Sequence, residues 1–218
     1  MHKFATTAPI AAVLDVPAGR IQVIAADRAD TTVDIRPANP GKNRDVQTAE
    51  QTVVSYTDGV LRIHTGEPQS KLLGPGAIEV TVQLPAGSRI EARTASCELR
   101  AVGRLGDIDF EGAYRQIKID EAAALRLTAV DGDVEIGRLT GPGRITTARG
   151  DIHVTEAVRG TLTLRTEAGH ITVAATTSAT LDAATGHGRI TNTLRNTGTP
   201  ELDIHATTNH GDITANSL

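Results

Sequence analysis

A chain of 218 residues is long enough for one large domain or two small ones, yet it has two Phe, two Tyr, no Trp and one Met. Its core has to be built from Val, Ile, Leu, Ala and Thr, which suit stacked strands. The net charge of −4 is spread in both signs along the chain, and without a basic stripe or aromatic stacking platforms the composition argues against nucleic acid as the main partner.

The apolar stretch from Ala8 to Val16 is interrupted by Pro9 and Asp15. It is too short for the apolar region of a secretory leader. Nowhere does the chain reach about 18 uninterrupted apolar residues, so no membrane span is expected. A lone cysteine, Cys97, rules out an intramolecular disulfide and a cysteine metal cluster. A cytoplasmic location is the expectation.

Residues 1–88 are strand-rich but lack a regular period. Alternation predicts strands over Ala12–Val16, Arg20–Ala25, Thr31–Arg36, Thr52–Tyr56, Val60–Thr65 and Ala77–Leu84. Pro37–Gln51 is polar and fits a loop or one short helix. Asp58-Gly59 fits a hairpin turn, because both residues tolerate positive φ. Gln69–Gly76 reads as loop. Val16-Pro17-Ala18-Gly19-Arg20-Ile21 resembles Leu84-Pro85-Ala86-Gly87-Ser88-Arg89-Ile90. The block therefore opens like the array that follows, and its expected job is to cap the first rung.

From residue 89 to residue 218 the chain repeats itself. Apolar anchors stand at Leu99, Ile117, Val134, Ile152, Ile171, Ile190 and Ile213, at spacings of 18, 17, 18, 19, 19 and 23 residues. Seven residues before them stand Ala92, Phe110, Leu127, Ile145, Leu164, Ala183 and Ala206. Five before them is a Thr column, Thr94, Thr147, Thr166, Thr185 and Thr208, with Gly112 and Ala129 as the exceptions. Two before them is a Gly column, Gly132, Gly150, Gly169, Gly188 and Gly211, with Cys97 and Arg115 in its place in the first two rungs. A Gly there lets the chain turn between two strands, and stacked Thr can share hydroxyl hydrogen bonds from rung to rung. The long last spacing holds Asn196-Thr197-Gly198-Thr199-Pro200, an inserted loop.

These columns predict an all-β chain: a parallel β-solenoid of about seven rungs over 89–218, behind an N-terminal strand-rich capping region over 1–88. Parallel crossovers favour a right-handed coil. An antiparallel sandwich has strands as closely spaced, but no reason to repeat Thr and Gly every second strand.

The Val-Pro-Ala-Gly opening and the runs Gly132-Asp133-Val134, Gly150-Asp151-Ile152 and Gly211-Asp212-Ile213 carry a likeness over nearly the whole chain. It resembles the bacterial β-strand-repeat family of unknown function labelled "putative adhesin". The resemblance implies a β-helical surface-binding module and brings no catalytic residues with it.

Two columns could carry chemistry. His187 and His210 fall in consecutive rungs, where they could approach one Zn²⁺ ion with Asp212 or His170 nearby; the competing reading is a surface ladder of polar residues. Asp133 and Asp151 would be stacked carboxylates, able to bind Ca²⁺ or serve as acid and base; the competing reading is solvated charge. Opposite charges in register, Asp109 with Arg126, Lys118 with Glu135 and Arg93 with Glu111, favour the second. No Gly-x-Ser-x-Gly nucleophile motif occurs.

The expectation is a non-enzymatic scaffold or interaction protein with no catalytic residues and no cofactor. The alternative is a solenoid enzyme or metal-dependent binder using the Asp or His columns. The partner would be a protein, or a second copy pairing through the C-terminal rung at Ile213 and Thr214 as a two-fold dimer.

Overall fold

The computed structural model describes residues 1–66, 74, 76–112 and 115–218. In chain order the elements are β1 (His2–Ala5), β2 (Ala11–Ala26), β3 (Asp30–Pro37), α1 (Asn43–Gln51), β4 (Thr52–Thr57), β5 (Val60–Thr65) and β6 (Ile78–Pro85). The long β7 (Arg89–Glu111) and β8 (Ile117–Thr128) follow, then β9 (Val134–Leu139), β10 (Gly143–Thr146), β11 (Ile152–Ala157), β12 (Gly160–Ala168) and β13 (Ile171–Ala175). The last four are β14 (Ala179–His187), β15 (Ile190–Thr193), β16 (Leu202–His210) and β17 (Ile213–Ser217). No described helix is long and apolar enough to cross a membrane.

The columns read from the sequence are the registers of the sheet. Leu99 lies opposite Ile117, Ile117 opposite Val134, Val134 opposite Ile152 and Ile152 opposite Ile171, all on parallel strands. On the other arm of each rung Phe110, Leu127, Ile145 and Leu164 stand in one line. All four are fully buried. Rows of branched side chains fill the space between the arms, and each rung shares its apolar face with the rungs on either side. This parallel pairing gives a solenoid-like open sheet rather than an antiparallel sandwich.

The same register runs upstream into β2, which pairs with β7 in parallel: Val16 faces Thr94, Gly19 faces Cys97 and Ile21 faces Leu99. The two look-alike segments are not stacked on each other, and Gly87 instead sits in a turn at φ 80°. The opposite edge of β2 is covered by β5 and β6, still parallel. There the direction reverses. β4 pairs antiparallel with β5 across the Asp58–Gly59 turn, and β3 and β1 continue antiparallel from β6. The turn residues take φ of 51° and 77°, as the Asp-Gly pair requires.

The polar segment forms α1. Its buried Asp45 accepts a hydrogen bond from the Ala77 N–H at 3.0 Å, and Thr48 accepts one from Gly76 at 3.1 Å. Strand β1 was not foreseen; its Phe4 ring packs on Tyr56 at 5.3 Å between centroids. The loop expected over Gln69–Gly76 lies outside the described residues except for Gly74 and Gly76.

One expectation fails. The rungs do not stack in chain order to the end. β12 and β13 pair with β16 and β17, and β14 and β15 pair with the far side of β16 and β17. Residues 202–217 are thus inserted between residues 160–175 and residues 179–193. The side chains give the reason. Asn192 occupies the inward column shared by Val173 and Ala215, both fully buried. Sequential stacking would trap its amide between Val173 and Ala215, and an unsatisfied buried polar group costs about 1–3 kcal/mol. At the end of the stack Asn192 is exposed, and its Oδ1 accepts from the Leu194 N–H at 3.0 Å. The inserted rung offers Leu202, Ile204, Ala206, Ile213 and Ala215, all buried. The connection that holds Asn196–Pro200 carries the chain back for this insertion. Its ends are tied down by Arg195 N–H to Ser217 Oγ at 2.8 Å and Glu201 N–H to Ser178 O at 2.9 Å.

The open end is therefore β14 and β15. Ile213 and Thr214, expected at the exposed edge, lie inside the stack with a strand on each side.

Candidate functional site

The candidate residues all lie along one corner of the rungs, where the chain turns at the Gly column. Gly150 takes φ 124°, and a Cβ on Gly169 would sit 2.0 Å from the Gly150 carbonyl oxygen. That contact is impossible, so Gly169 packs on the rung before it only as Gly, while Cys97 and Arg115 fill the same column in the first two rungs.

The Thr column serves the same corner. Thr166 Oγ1 donates to the Gly150 carbonyl at 3.1 Å, Thr208 to Gly169 at 3.0 Å and Thr185 to Gly211 at 2.9 Å. The expected hydroxyl-to-hydroxyl ladder is absent from this column. These three hydroxyls instead bind the corner carbonyl of the adjacent rung, because the sharp turn leaves that carbonyl within reach. Thr147 donates within its own rung, to Arg149 O at 3.0 Å.

A second ladder runs on the outside of the corner. The Asp151 N–H donates to Asp133 Oδ1 at 2.9 Å, and the His170 N–H donates to Asp151 Oδ1 at 2.7 Å. The Asp212 N–H donates to His170 Nδ1 at 3.0 Å, and the Arg189 N–H to Asp212 Oδ1 at 2.8 Å. The ladder follows the spatial order of the rungs, including the inversion. Each side chain satisfies a backbone donor that the turn takes out of the sheet. Because its Nδ1 accepts, His170 carries its ring proton on Nε2.

Asp133 and Asp151 do come together, as the sequence suggested, but one oxygen of each is occupied by a backbone N–H. His187 and His210 also come together: they are in register, and their rings stack 4.9 Å apart at 24°. Asp212 turns to Arg189, and His170 turns to Asp212. Among the described residues no trio of His, Cys, Asp or Glu is placed to hold a metal ion.

The three expected charge pairs are present: Arg126 with Asp109 at 3.8 Å, Lys118 with Glu135 at 2.6 Å and Arg93 with Glu111 at 3.9 Å. Cys97, fully buried in the Gly column, donates to Val16 O at 3.4 Å. Burial pushes its thiol up to about 12, which leaves it un-ionised and inert as a nucleophile at neutral pH. Sequence reasoning missed the joint role of the columns. The signal was present as Thr, then Gly three residues on, then an acceptor side chain, in Thr147-Gly150-Asp151, Thr166-Gly169-His170 and Thr208-Gly211-Asp212.

Several solved structures share similarity along the whole chain. A "putative cell adhesion protein" from Clostridium sporogenes is 10% identical, covering 100% of this chain and 98% of its own, at a TM-score of 0.40. A "putative adhesin" from Bacteroides fragilis is 12% identical, covering 98% and 95%, at a TM-score of 0.44. A "putative lipid binding protein" from Parabacteroides distasonis is 13% identical over the same shares, also at 0.44. Among curated proteins none matches. The family model described as Toastrack DUF4097 matches residues 13–217, and this chain belongs to that family.

Proposed function

We propose that the protein is a non-enzymatic β-solenoid scaffold that acts through protein contacts, and that its contact is edge-to-edge pairing with a second copy at β14 and β15. We read the stack as a right-handed coil with about seven rungs from residue 89 on. The observation that carries the contact is the state of the terminal rung. β14 pairs only with β16, and β15 only with β17, among the described residues. Natural edges are blunted by Lys, Pro or a bulge. Here the edge reads Ala-Thr-Leu-Asp-Ala-Ala-Thr-Gly-His and Ile-Thr-Asn-Thr, with neither Lys nor Pro. Ile190 is 42% exposed, and Leu181 and Leu194 are only half-buried. A second copy arriving on a two-fold axis supplies strand partners for both arms and covers this apolar end, and the contact closes at two subunits.

Light scattering on a sizing column at micromolar concentration tests the proposal. The expected result is a dimer that Asn192→Pro converts to a folded monomer, because the Asn192 N–H faces away from β17 and proline removes that edge donor without entering the core. A wild-type monomer, or a dimer indifferent to Asn192→Pro, overturns it. Ile213→Lys does not serve as this test, since Ile213 is buried inside the stack.

A further inference from the structure

The outward face of the strands that precede each corner divides into three zones of charge. On β7 the charges are compensated: Arg89 lies 3.5 Å from Asp107, and Arg93 lies 3.2 Å from Glu91. On β14 and β16 the face is acidic, with Asp182 and Asp203, and His205 lies 3.3 Å from Asp182. Between them, on the arms of β8, β10 and β12 that precede the corner, the outward positions hold Arg126, Arg144 and Arg165, a single carboxylate, Glu167, at the corner end of β12, and otherwise Thr, Ala and Pro.

Arg144 stands in register between Arg126 and Thr163 on neighbouring parallel strands. Like charges placed directly opposite repel and cost stability. Arg126 has one carboxylate, Asp109, at 3.8 Å. Arg144 and Arg165 make no ion pair and no side-chain hydrogen bond with the described residues. A hollow of about 470 Å³ opens at Arg144, and Ala124, Gly143, Arg126 and Thr163 are among the residues that line it. Small side chains in adjacent rungs make the hollow, and Asp107, Asp109 and Arg89 line it as well, with Asp109 in register with Arg126.

We propose that this hollow binds a small free oxyanion of the phosphate type with two or more negative charges, held between the guanidiniums of Arg126 and Arg144 and by the Thr163 hydroxyl. Two guanidinium forks on strands about 4.8 Å apart can each bind different oxygens of one phosphoryl group or of two linked ones. A single carboxylate is satisfied by one fork and leaves the second arginine uncompensated. A free anion fits better than a charged bilayer. The acidic zone at Asp182 and Asp203 shares the outward face, and an anionic membrane would repel it.

Isothermal titration with inorganic pyrophosphate, at fixed ionic strength, tests the site on the intact protein. Arg144→Gln should weaken binding roughly tenfold or more, the loss of a charge-assisted contact. Arg104→Gln, an exposed arginine on the other arm, should leave it unchanged. Asp109→Asn should strengthen it, because Arg126 loses its competing carboxylate. Rising salt should weaken it. No binding by wild type at millimolar pyrophosphate overturns the proposal. So does equal binding by wild type and Arg144→Gln, or binding only to vesicles containing phosphatidic acid.

Discussion

The rung of β16 and β17 and the rung of β14 and β15 share one motif, a Thr three residues before a Gly, at Thr208 and Gly211 and at Thr185 and Gly188. The first is enclosed between two other rungs, with Leu202, Ile204 and Ile213 almost fully buried. The second is the end of the stack, and the four residues of β15 are all exposed. The motif fixes the corner geometry that any rung needs. The inward columns decide which rung takes the interior. Three aliphatic side chains outcompete a set that includes Ala179, opposite Leu202, and Asn192, and the chain crosses over itself to let them do so.

The sharpest way to break that comparison is to trap the strand order. Thr172 lies opposite Thr214, and Thr214 lies opposite Thr191. With cysteines at Thr172 and Thr214 the Cα atoms fall within the range a disulfide spans, and oxidation should cross-link the folded protein. Cysteines at Thr172 and Thr191 are separated by an intervening strand and should stay reduced. The reverse pattern on a non-reducing gel would restore sequential stacking.

Core truncation comes next in size. Ile213→Ala removes a fully buried side chain and should cost about 2–5 kcal/mol in urea unfolding. Ile190→Ala, at the exposed edge, should cost under about 1 kcal/mol in the monomeric protein. Equal costs would mean that the two rungs are equivalent. The hydroxyls should show a smaller contrast. Thr208 is buried and Thr185 only partly so. Thr208→Val strips the Gly169 carbonyl of its donor and should cost about 1–3 kcal/mol. Thr185→Val, with solvent able to replace the hydroxyl, should cost less than Thr208→Val in the same unfolding assay.

Most of this architecture was legible before any coordinates. The anchor, Thr and Gly columns became the actual registers, because parallel stacking puts equivalent residues of successive repeats side by side. Val60–Thr65 matched β5, and the Asp58–Gly59 turn formed as expected. The failures share one cause. Register within a rung is local and written in alternation, whereas the order of rungs depends on comparing the burial value of two distant segments. Asn192 in an otherwise aliphatic column and the 23-residue last spacing both signalled the inversion. The loop was read as an insertion in a regular stack instead of the length needed to pass one rung. At the corner, the Asp and His columns were visible, but their role was not. Nothing in the spacing says that the turn frees a backbone N–H for each of them to accept.

The smallest predicted effect isolates that role. His170 links two ladder bonds: its backbone N–H donates to Asp151 Oδ1, and its Nδ1 accepts from the Asp212 N–H. The second bond joins the rung of β12 and β13 to the inserted rung, so it lies on the boundary that the inversion creates. His170→Ala removes only the acceptor and should cost about 0.5–1.5 kcal/mol, the net value of an exposed hydrogen bond. His170→Asn places a carbonyl oxygen where the neighbouring rungs place an Asp Oδ1, and should return to within about 0.5 kcal/mol of wild type. Asparagine is a poor substitute for a zinc-ligating imidazole. Rescue by Asn therefore separates an acceptor from a ligand, and the result should be the same with and without a chelator. If Ala unfolds no earlier than wild type, the ladder adds nothing to stability. If Asn fails while added Zn²⁺ stabilises only the wild type, the corner is a metal site after all.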